Sequence, residues 1–565
     1  MLRRKPRRLA PLLFLGAVAC SDGVDPKLPA CTAAGFPVSL GAVGQYVVID
    51  PAPAAGCVVF AANGSPSDSA EYLVVPQLAT GAPGTTMRFD LVGDTMLPAP
   101  LLSASPSPES PQLPPAERFH TFLRLGDQSR WRGLGPQIAP SEALAPSRSP
   151  AARAGPPTLG STRQFMVCAR LDCSRFDRVT ARVQALKSTV AIYVDTAAPG
   201  PPIGLDAAAL DGLATLFDSR LHALDTAAFG PESDIDTNSV VLVLMTPVVN
   251  RLVSAEACRS GFIAGFFLGA DLDPAFLKDP RSNKGEVFYS FVADTAGCAH
   301  TAASVQRFVP VTFIHEFQHM ISYHQHVLVR GGDGEVLWLN EGLSHYAEEL
   351  GGWSYPPGSA EFASFMRGNL INAYRYLDAT DDHFLAPSAG IGSLAERGSA
   401  WLFVRYVVDR YAGGTTVTEW NQLTRQLVGT AVTGAENIEA VAGGPFTDIV
   451  TRWALANWVS DLPGFTAPPE LRYDAWAFRT TYDALHTQEA SNFPKAYPLT
   501  PTAGAGPAVS LSGTLRAGSG VYHRVLQEPN ADGFTLLFGR RLPFNTNDWP
   551  IPASLKPRLS VIRIR

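Results

Sequence analysis

Two histidines and a glutamate near the middle of the chain have the types and spacing of a catalytic metal site. They stand in the segment His315-Glu316-Phe317-Gln318-His319. If this segment is helical, both imidazoles project from one face a single turn apart, a separation that two Zn–N bonds of about 2.1 Å can share. Glu316 would lie beside the metal and take a proton from zinc-bound water. The alternative is a helical histidine pair bonded to its own neighbours, with Glu316 solvated.

A second motif, Trp338-Leu339-Asn340-Glu341-Gly342-Leu343, supplies a third ligand. Asn340 is a good N-cap residue, which predicts a helix with Glu341 in its first turn and its carboxylate available to the metal. Three protein ligands leave a fourth position for water, as a catalytic rather than a structural zinc site requires. His345, one turn after Glu341, either orients a ligand or occupies a solvated helix position.

Proline and glycine predict where the first of these helices begins and ends. Pro310 suits the first turn of a helix, because its missing N–H costs nothing there. The glycine-rich segment Gly331-Gly332-Asp333-Gly334 should end the helix and return the chain toward Trp338. We therefore expect a helix from about Pro310 to near Gly331, followed by a turn and a second helix.

The two motifs together resemble those of the gluzincin zinc metallopeptidases. The sequences of the two motifs are most similar to those of the hyicolysin-type secreted bacterial metallopeptidases. The resemblance is clearest over Val309–Gly352 and extends back to Ile192 and forward to Gly413. It implies an α+β fold with a zincin-like catalytic domain: a mixed sheet, an active-site helix and a mainly helical C-terminal subdomain.

Carried over to this sequence, the resemblance implies that His315, His319 and Glu341 ligate one zinc ion and that Glu316 is the general base. The predicted function is a metalloendopeptidase that hydrolyses protein or peptide substrates. An exopeptidase on the same scaffold is one alternative, and a catalytically silent surface-binding lipoprotein is another. By analogy with related folds, Gly285–Val292 is a candidate edge strand for pairing with an extended substrate.

The group that stabilises the oxyanion is not evident from the sequence. Gluzincins often use a tyrosine or histidine, and in aminopeptidase-like relatives the tyrosine stands three residues before a glycine. If Arg397-Gly398 is the corresponding pair, Ala395 occupies the tyrosine place. The remaining candidates are Tyr374, His383, Arg397 and Tyr406, of which Tyr406 is better explained as part of an apolar helix.

A second metal site is a weaker hypothesis. Asp234-Ile235-Asp236-Thr237-Asn238 places oxygen ligands at alternate positions, as at the start of a calcium loop. The glycine and the distal glutamate of a full loop are missing. We therefore interpret the segment as a turn leading into a strand, with calcium binding as the alternative.

The N-terminus has the pattern of an export signal. A basic start is followed by the apolar run Leu9–Val18 and by Ala17-Val18-Ala19-Cys20. This resembles a bacterial lipoprotein signal, in which Cys20 carries the lipid and anchors the chain to a membrane. Ser21 stands where inner-membrane retention would require aspartate, which favours the outer membrane or the cell surface. The alternative is a plain secretory signal cleaved near Ala19.

Cysteine content agrees with export, because the chain has an even number of cysteines besides Cys20. Proximity in the sequence predicts that they pair consecutively as Cys31–Cys57, Cys168–Cys173 and Cys258–Cys298. The net charge of −6 and the pI of about 6.0 argue against a nucleic-acid partner. Neither quantity indicates an oligomeric state.

A chain of 565 residues should form several domains. We predict small β-domains on both sides of the catalytic domain, and a linker rich in Pro, Ser and Ala with a short ordered insert around Phe119–Leu125. The predicted boundaries are 1–19 for the signal peptide, 20–97 for the first β-domain, 98–162 for the linker, 163–302 for the β-rich half of the catalytic domain, 303–495 for its helical half with the zinc site, and 496–565 for the second β-domain.

Overall fold

A computed structural model describes residue 31 and residues 35–95, 113–132, 156–295, 298–388, 390–540 and 552–565. The described chain combines α-helices with three mixed β-sheets, as the predicted α+β class requires. The predicted signal segment, Cys20 and much of the predicted linker lie outside these residues. Among the described helices, none has both the length and the apolar character needed to cross a membrane.

Five strands lie in the first part of the described chain, where runs of β-branched and aromatic residues alternate with turn residues. They are β1 (Phe36–Val38), β2 (Tyr46–Ile49), β3 (Cys57–Phe60), β4 (Ala70–Leu78) and β5 (Thr86–Gly93). A helix, α1 (Pro115–Gln128), follows within the predicted linker. The expected ordered insert is therefore a helix of 14 residues, and its Phe119 and Leu123 side chains are fully buried.

The next part of the chain forms a six-stranded sheet with short helices. Its elements are β6 (Thr162–Cys168), β7 (Phe176–Leu186), β8 (Val190–Asp195), α2 (Ala207–Leu216), α3 (His222–Phe229), β9 (Val241–Met245), α4 (Pro247–Asn250), β10 (Gly265–Phe267) and β11 (Val287–Ser290). The strand order is β10-β11-β9-β8-β7-β6. Strands β8, β9 and β11 are parallel and buried, which agrees with their continuous apolar sequences.

Helices dominate the chain from residue 302 to residue 488. They are α5 (Ala302–Tyr323), α6 (Leu337–Trp353), α7 (Ala360–Asp378), α8 (Leu394–Tyr411), α9 (Val417–Val428), α10 (Gly434–Ala442), α11 (Phe446–Val459) and α12 (Phe478–Gln488). A π-helical turn, His324–Val329, extends α5 before the glycine-rich segment. Helix α5 packs on the six-stranded sheet through Phe313, whose ring lies 5.0 Å from that of Phe288.

The last strands return to the sheets of the first ones. Strands β12 (Thr502–Ala505), β13 (Ser510–Arg516), β14 (His523–Gln527), β15 (Phe534–Arg540) and β16 (Pro557–Arg563) complete two five-stranded sheets. One has the order β1-β3-β15-β5-β13 and the other β12-β14-β4-β16-β2. The two sheets share one apolar core.

The prediction of two separate β-domains, 20–97 and 496–565, is therefore wrong. Strand β15 pairs with both β3 and β5, and β16 pairs with both β2 and β4. Neither end of the chain supplies the neighbours that its own strands need, so the two ends form a single β-sandwich. Strand patterns in a sequence do not show which strands pair, and this is why the prediction separated them.

All three predicted cysteine pairs are joined as disulfides. The Cα–Cα distances are 5.3 Å for Cys31–Cys57, 5.0 Å for Cys168–Cys173 and 5.7 Å for Cys258–Cys298. The first ties residue 31 to the β-sandwich, and the third closes a loop beside the six-stranded sheet. The consecutive pairing predicted from proximity is confirmed.

Candidate metal centre

Helix α5 carries the first motif and begins eight residues earlier than predicted. Thr301 caps it by accepting a hydrogen bond of 3.1 Å from the backbone N–H of Ser304. Pro310, expected in the first turn, lies inside the helix. Val305 and Val309 are fully buried, so their packing holds the helix on the N-terminal side of Pro310 despite the hydrogen bond that a proline removes.

The imidazoles of His315 and His319 face each other from one side of α5. Their Nε2 atoms are 3.2 Å apart, and both side chains are buried. The Nδ1 atom of His315 lies 2.7 Å from a carboxylate oxygen of Glu348, and the Nδ1 atom of His319 lies 2.7 Å from Oδ1 of Asn340. Both partners are acceptors, so each Nδ1 donates its proton. The Nε2 atoms of the two rings therefore face each other, an arrangement that a shared cation would stabilise.

Helix α6 brings Glu341 to the same point. Its two carboxylate oxygens lie 3.7 Å from Nε2 of His315 and 3.5 Å from Nε2 of His319. Glu341 is 1% exposed, and its Oε1 atom has no hydrogen-bond partner among the described residues. Burial alone would raise the pKa of Glu341, but contact with His319 and the nearby positive charge of Arg397 hold it well below its usual range. The carboxylate is therefore ionised.

Asn340 has a different role from the predicted one. The N-cap of α6 is Val336, so Asn340 lies inside the helix rather than at its start, and Glu341 lies beyond the first turn. The Asn340 amide oxygen binds His319 instead. Capping propensity describes a helix end in isolation, and here the contact with the imidazole and the burial of Leu337 override it.

A metal ion fits this donor set. Two imidazole nitrogens and one carboxylate oxygen converge within 4.8 Å of one another and are all buried. Burial and the neighbouring charge of Arg124 lower the pKa of His319 to about 3, which keeps its imidazole neutral and able to ligate. The three ligands predicted from the sequence are thus brought together by two adjacent helices.

Glu316 is held beside the three donors rather than among them. Its Oε2 atom accepts a hydrogen bond of 2.8 Å from the backbone N–H of Phe267 in β10. Burial raises the pKa of Glu316, although the nearby charges of His315 and Arg124 oppose that shift. A carboxyl group with a raised pKa is suited to both accept and return a proton near neutral pH.

Glu348 is the functional residue that the sequence analysis missed. It contacts His315, and its carboxylate also lies 3.1 Å from Nδ1 of His345. His345, predicted either to orient a ligand or to be solvated, is buried and packs against the ring of His315 at 5.0 Å. The spacing Glu341, His345, Glu348 on one helix face could have indicated this arrangement.

Helix α1 places further side chains near the candidate site. Arg124 donates a hydrogen bond of 2.7 Å to the carbonyl of Phe267, the residue that also binds Glu316. Glu117 pairs with Arg397 at 3.6 Å. The half-buried His120 lies within electrostatic reach of Glu341 and His315, and burial lowers its pKa well below the usual value. A neutral imidazole from the predicted linker therefore stands near the donors.

Among the four predicted oxyanion candidates, Arg397 acts electrostatically on Glu341, one of the predicted metal ligands. The hydroxyl of Tyr374 bonds to the backbone of Lys495, and that of Tyr406 donates to the carbonyl of Glu470. His383 contacts Glu396 at 3.5 Å. Tyr406 is fully buried, so its interpretation as a packing residue is confirmed.

The predicted edge strand is also placed differently. Strand β11, within the segment Gly285–Val292, lies between β9 and β10 and has no free edge. The edge strand on this side of the sheet is β10, and Phe267 at its end uses its N–H for Glu316 and its carbonyl for Arg124. Comparison with known proteins adds no assignment, because the chain matches no protein-family model and no curated protein.

Proposed function

We propose that this protein is a zinc-dependent metallopeptidase of the gluzincin type that hydrolyses internal peptide bonds in protein or peptide substrates. The observation that supports it best is the pair of imidazoles on α5, whose Nε2 atoms face each other 3.2 Å apart beside the Glu341 carboxylate. Nitrogen and carboxylate donors in this number suit zinc and leave a coordination position for a reactant.

In the proposed reaction, Nε2 of His315, Nε2 of His319 and the Glu341 carboxylate hold the ion. Bound zinc supplies Lewis acidity and lowers the pKa of the attacking water. Glu316 takes the proton of that water and later gives it to the leaving amine. Because Phe267 holds Oε2 of Glu316, we assign the proton transfer to Oε1.

We further assign the stabilisation of the oxyanion to His120 and Arg397. His120 is neutral, half-buried and within electrostatic reach of two ligands, which suits an N–H donor toward a developing negative charge. Arg397 is a permanent positive charge near Glu341, positioned by its ion pair with Glu117. Both residues lie outside the two sequence motifs.

Endopeptidase activity is favoured over exopeptidase activity by the acidic residues around the donors. Glu341 and Glu316 have roles in the reaction, Glu348 contacts two histidines, and Glu117 is paired with Arg397. These roles and contacts occupy all four carboxylates, so none of the four is left to bind the α-amine of a substrate terminus. The three disulfides favour an oxidising compartment. We propose export and a lipid anchor at Cys20, at the outer membrane or cell surface.

Metal analysis combined with digestion of a peptide library tests this proposal. We expect one zinc per purified chain, internal cleavage sites in the library, loss of cleavage with a chelator and recovery when zinc is added back. Release of terminal residues alone would support the exopeptidase. Zinc binding without cleavage would support the alternative of a catalytically silent binding lipoprotein.

A further inference from the structure

A cluster of carboxylates lies where strands β9 and β11 begin, apart from the donors of the candidate zinc site. Asp234 and Asp236 stand in the loop between α3 and β9, and Glu286 immediately precedes β11. Because β11 pairs with β9 in parallel, Glu286 lies next to the loop that leads into β9, and its carbonyl accepts a hydrogen bond of 2.7 Å from Leu242. One carboxylate oxygen from each of the three acids lies within 4.8 Å of the other two.

Each of these carboxylates uses one oxygen to brace the loop. Oε1 of Glu286 accepts hydrogen bonds from Ser233 Oγ at 2.6 Å and from the backbone N–H of Ile235 at 2.9 Å. Oδ1 of Asp234 accepts from the backbone N–H of Asn238 at 3.0 Å. The loop is therefore held in a defined shape by its own acidic side chains.

The remaining oxygens of the two more buried acids have no partner. Glu286 is 2% exposed, and its Oε2 atom is buried without a hydrogen bond to any described residue. The same holds for Oδ1 of Asp236. Leaving a buried carboxylate oxygen unpaired is unfavourable, so two such atoms in one cluster indicate that a ligand completes it.

The charge balance also favours a cation. Arg163 lies 3.6 Å from Oδ2 of Asp236 and is the one cationic side chain within 4 Å of these acids in the described part of the chain, so one positive charge faces three carboxylates. Gly285 allows the backbone before β11 to lie close to Asp236, because a Cβ atom there would be 2.7 Å from the same Oδ2.

We propose that Asp234, Asp236 and Glu286 form a calcium site. An all-oxygen donor set selects a hard cation over zinc. The separations suit Ca²⁺, whose oxygen ligands at 2.3–2.6 Å lie up to about 5 Å apart, with waters and backbone carbonyls completing the shell. Glu286 supplies the distal glutamate that the local sequence lacks, from a neighbouring strand.

The site connects to the metal helix through the same loop. The Pro231 carbonyl, three residues before Asp234, lies 2.9 Å from Nδ1 of His324 and accepts a hydrogen bond of 2.6 Å from Gln325 at the end of α5. Calcium would therefore stabilise the loop that braces the C-terminal end of this helix. The proposal does not depend on peptidase activity.

Calcium titration of the full-length, zinc-loaded protein tests the site. In buffer freed of calcium, we expect isothermal titration with CaCl₂ to give a dissociation constant of about 0.1–1 mM and Tm to rise by about 2–5 °C at 10 mM calcium. We expect D234N to weaken binding at least about tenfold and E286Q to abolish it. D211N removes the charge of an exposed acid paired with Lys187 and should respond like the wild type.

Three results would overturn the proposal: no heat and no Tm change in the wild-type protein, an equal response to magnesium, or unchanged calcium binding in both D234N and E286Q. The titration of the wild-type protein tests calcium binding even if E286Q fails to fold. Zinc content, measured in every sample, shows whether added calcium has displaced zinc from the histidines instead.

Discussion

The backbone N–H of Phe267 donates a hydrogen bond of 2.8 Å to the Glu316 carboxylate, so the edge strand of the sheet fixes the proposed base on the metal helix. Glutamine at position 316 keeps an oxygen that can accept this hydrogen bond but cannot take a proton from water. We therefore expect Glu316→Gln to lower kcat/KM by about 10²–10⁴-fold while zinc content and Tm stay near those of the wild type. Peptide hydrolysis and metal analysis measure both quantities.

Glu361→Gln is the matched control for this change, because Glu361 is exposed in the first turn of α7. It should leave activity and zinc content unchanged. Full peptidase activity in a zinc-loaded Glu316→Gln protein would rule out Glu316 as the base.

Glu348 contacts Nδ1 of His315 and so orients the imidazole of a proposed zinc ligand. Burial would raise the pKa of Glu348, but the charge of His345 and contact with His315 hold it at about 2. Glu348 is therefore an ionised carboxylate that accepts a hydrogen bond from Nδ1–H of His315. We expect Glu348→Ala to weaken zinc binding by about 10–100-fold, and Glu348→Gln by less, because glutamine keeps one acceptor. Competition with a zinc chelator measures the affinity, and an unchanged zinc affinity in both variants would contradict this role.

The assignment of His120 leads to a prediction for a residue outside both motifs. If its N–H stabilises the oxyanion, His120→Ala should lower kcat by about 10²-fold with little change in KM or zinc content. His120→Gln, which keeps an N–H donor, should recover part of the loss. Steady-state kinetics on a defined peptide separate kcat from KM. A rise in activity in His120→Ala would instead show that α1 blocks the site.

The sequence predicted that the two histidines lie together because their proximity depends on local spacing. Positions four apart on a helix share a face wherever the helix packs, so His315 and His319 could be paired without knowing the fold. The residues that contact these two histidines could not be predicted in this way. Glu348 lies 33 residues from His315 along the chain, and its role depends on how α6 packs against α5.

The wrong predictions share a physical cause. Pro310 and Asn340 were assigned from helix-end preferences, which tertiary packing overrides when the flanking residues are buried. The two ends of the chain were assigned to separate β-domains because strand patterns carry no information on pairing partners. Glu286 joins the Asp234 loop through the pairing of β11 with β9, again a relationship that the sequence pattern does not contain.

Asp225 gives a prediction about stability that is independent of the metal sites. It is fully buried on α3, and neither carboxylate oxygen has a hydrogen-bond partner among the described residues. Burial, with a smaller contribution from the charge of Glu232, raises the pKa of Asp225 well above its usual value. The folded protein keeps a proton that the unfolded chain releases above about pH 4. This site therefore favours folding most at low pH, and that contribution decreases as the pH rises toward the folded-state pKa.

Asparagine at position 225 has nearly the same shape as aspartate and cannot ionise. We therefore expect the stability of Asp225→Asn, measured relative to the wild type, to be greater at pH 8 than at pH 5. Asp218→Asn is a control without this pH dependence. Although burial opposes the shift, hydrogen bonds from Ser188 and Thr189 lower the pKa of Asp218, so Asp218 is ionised in the folded and unfolded chains at both pH values, and this variant should lose the same stability at pH 5 and pH 8. Denaturant midpoints at both pH values measure the differences. An Asp225→Asn effect that is the same at pH 5 and pH 8 would show that Asp225 ionises alike in the folded and unfolded chains.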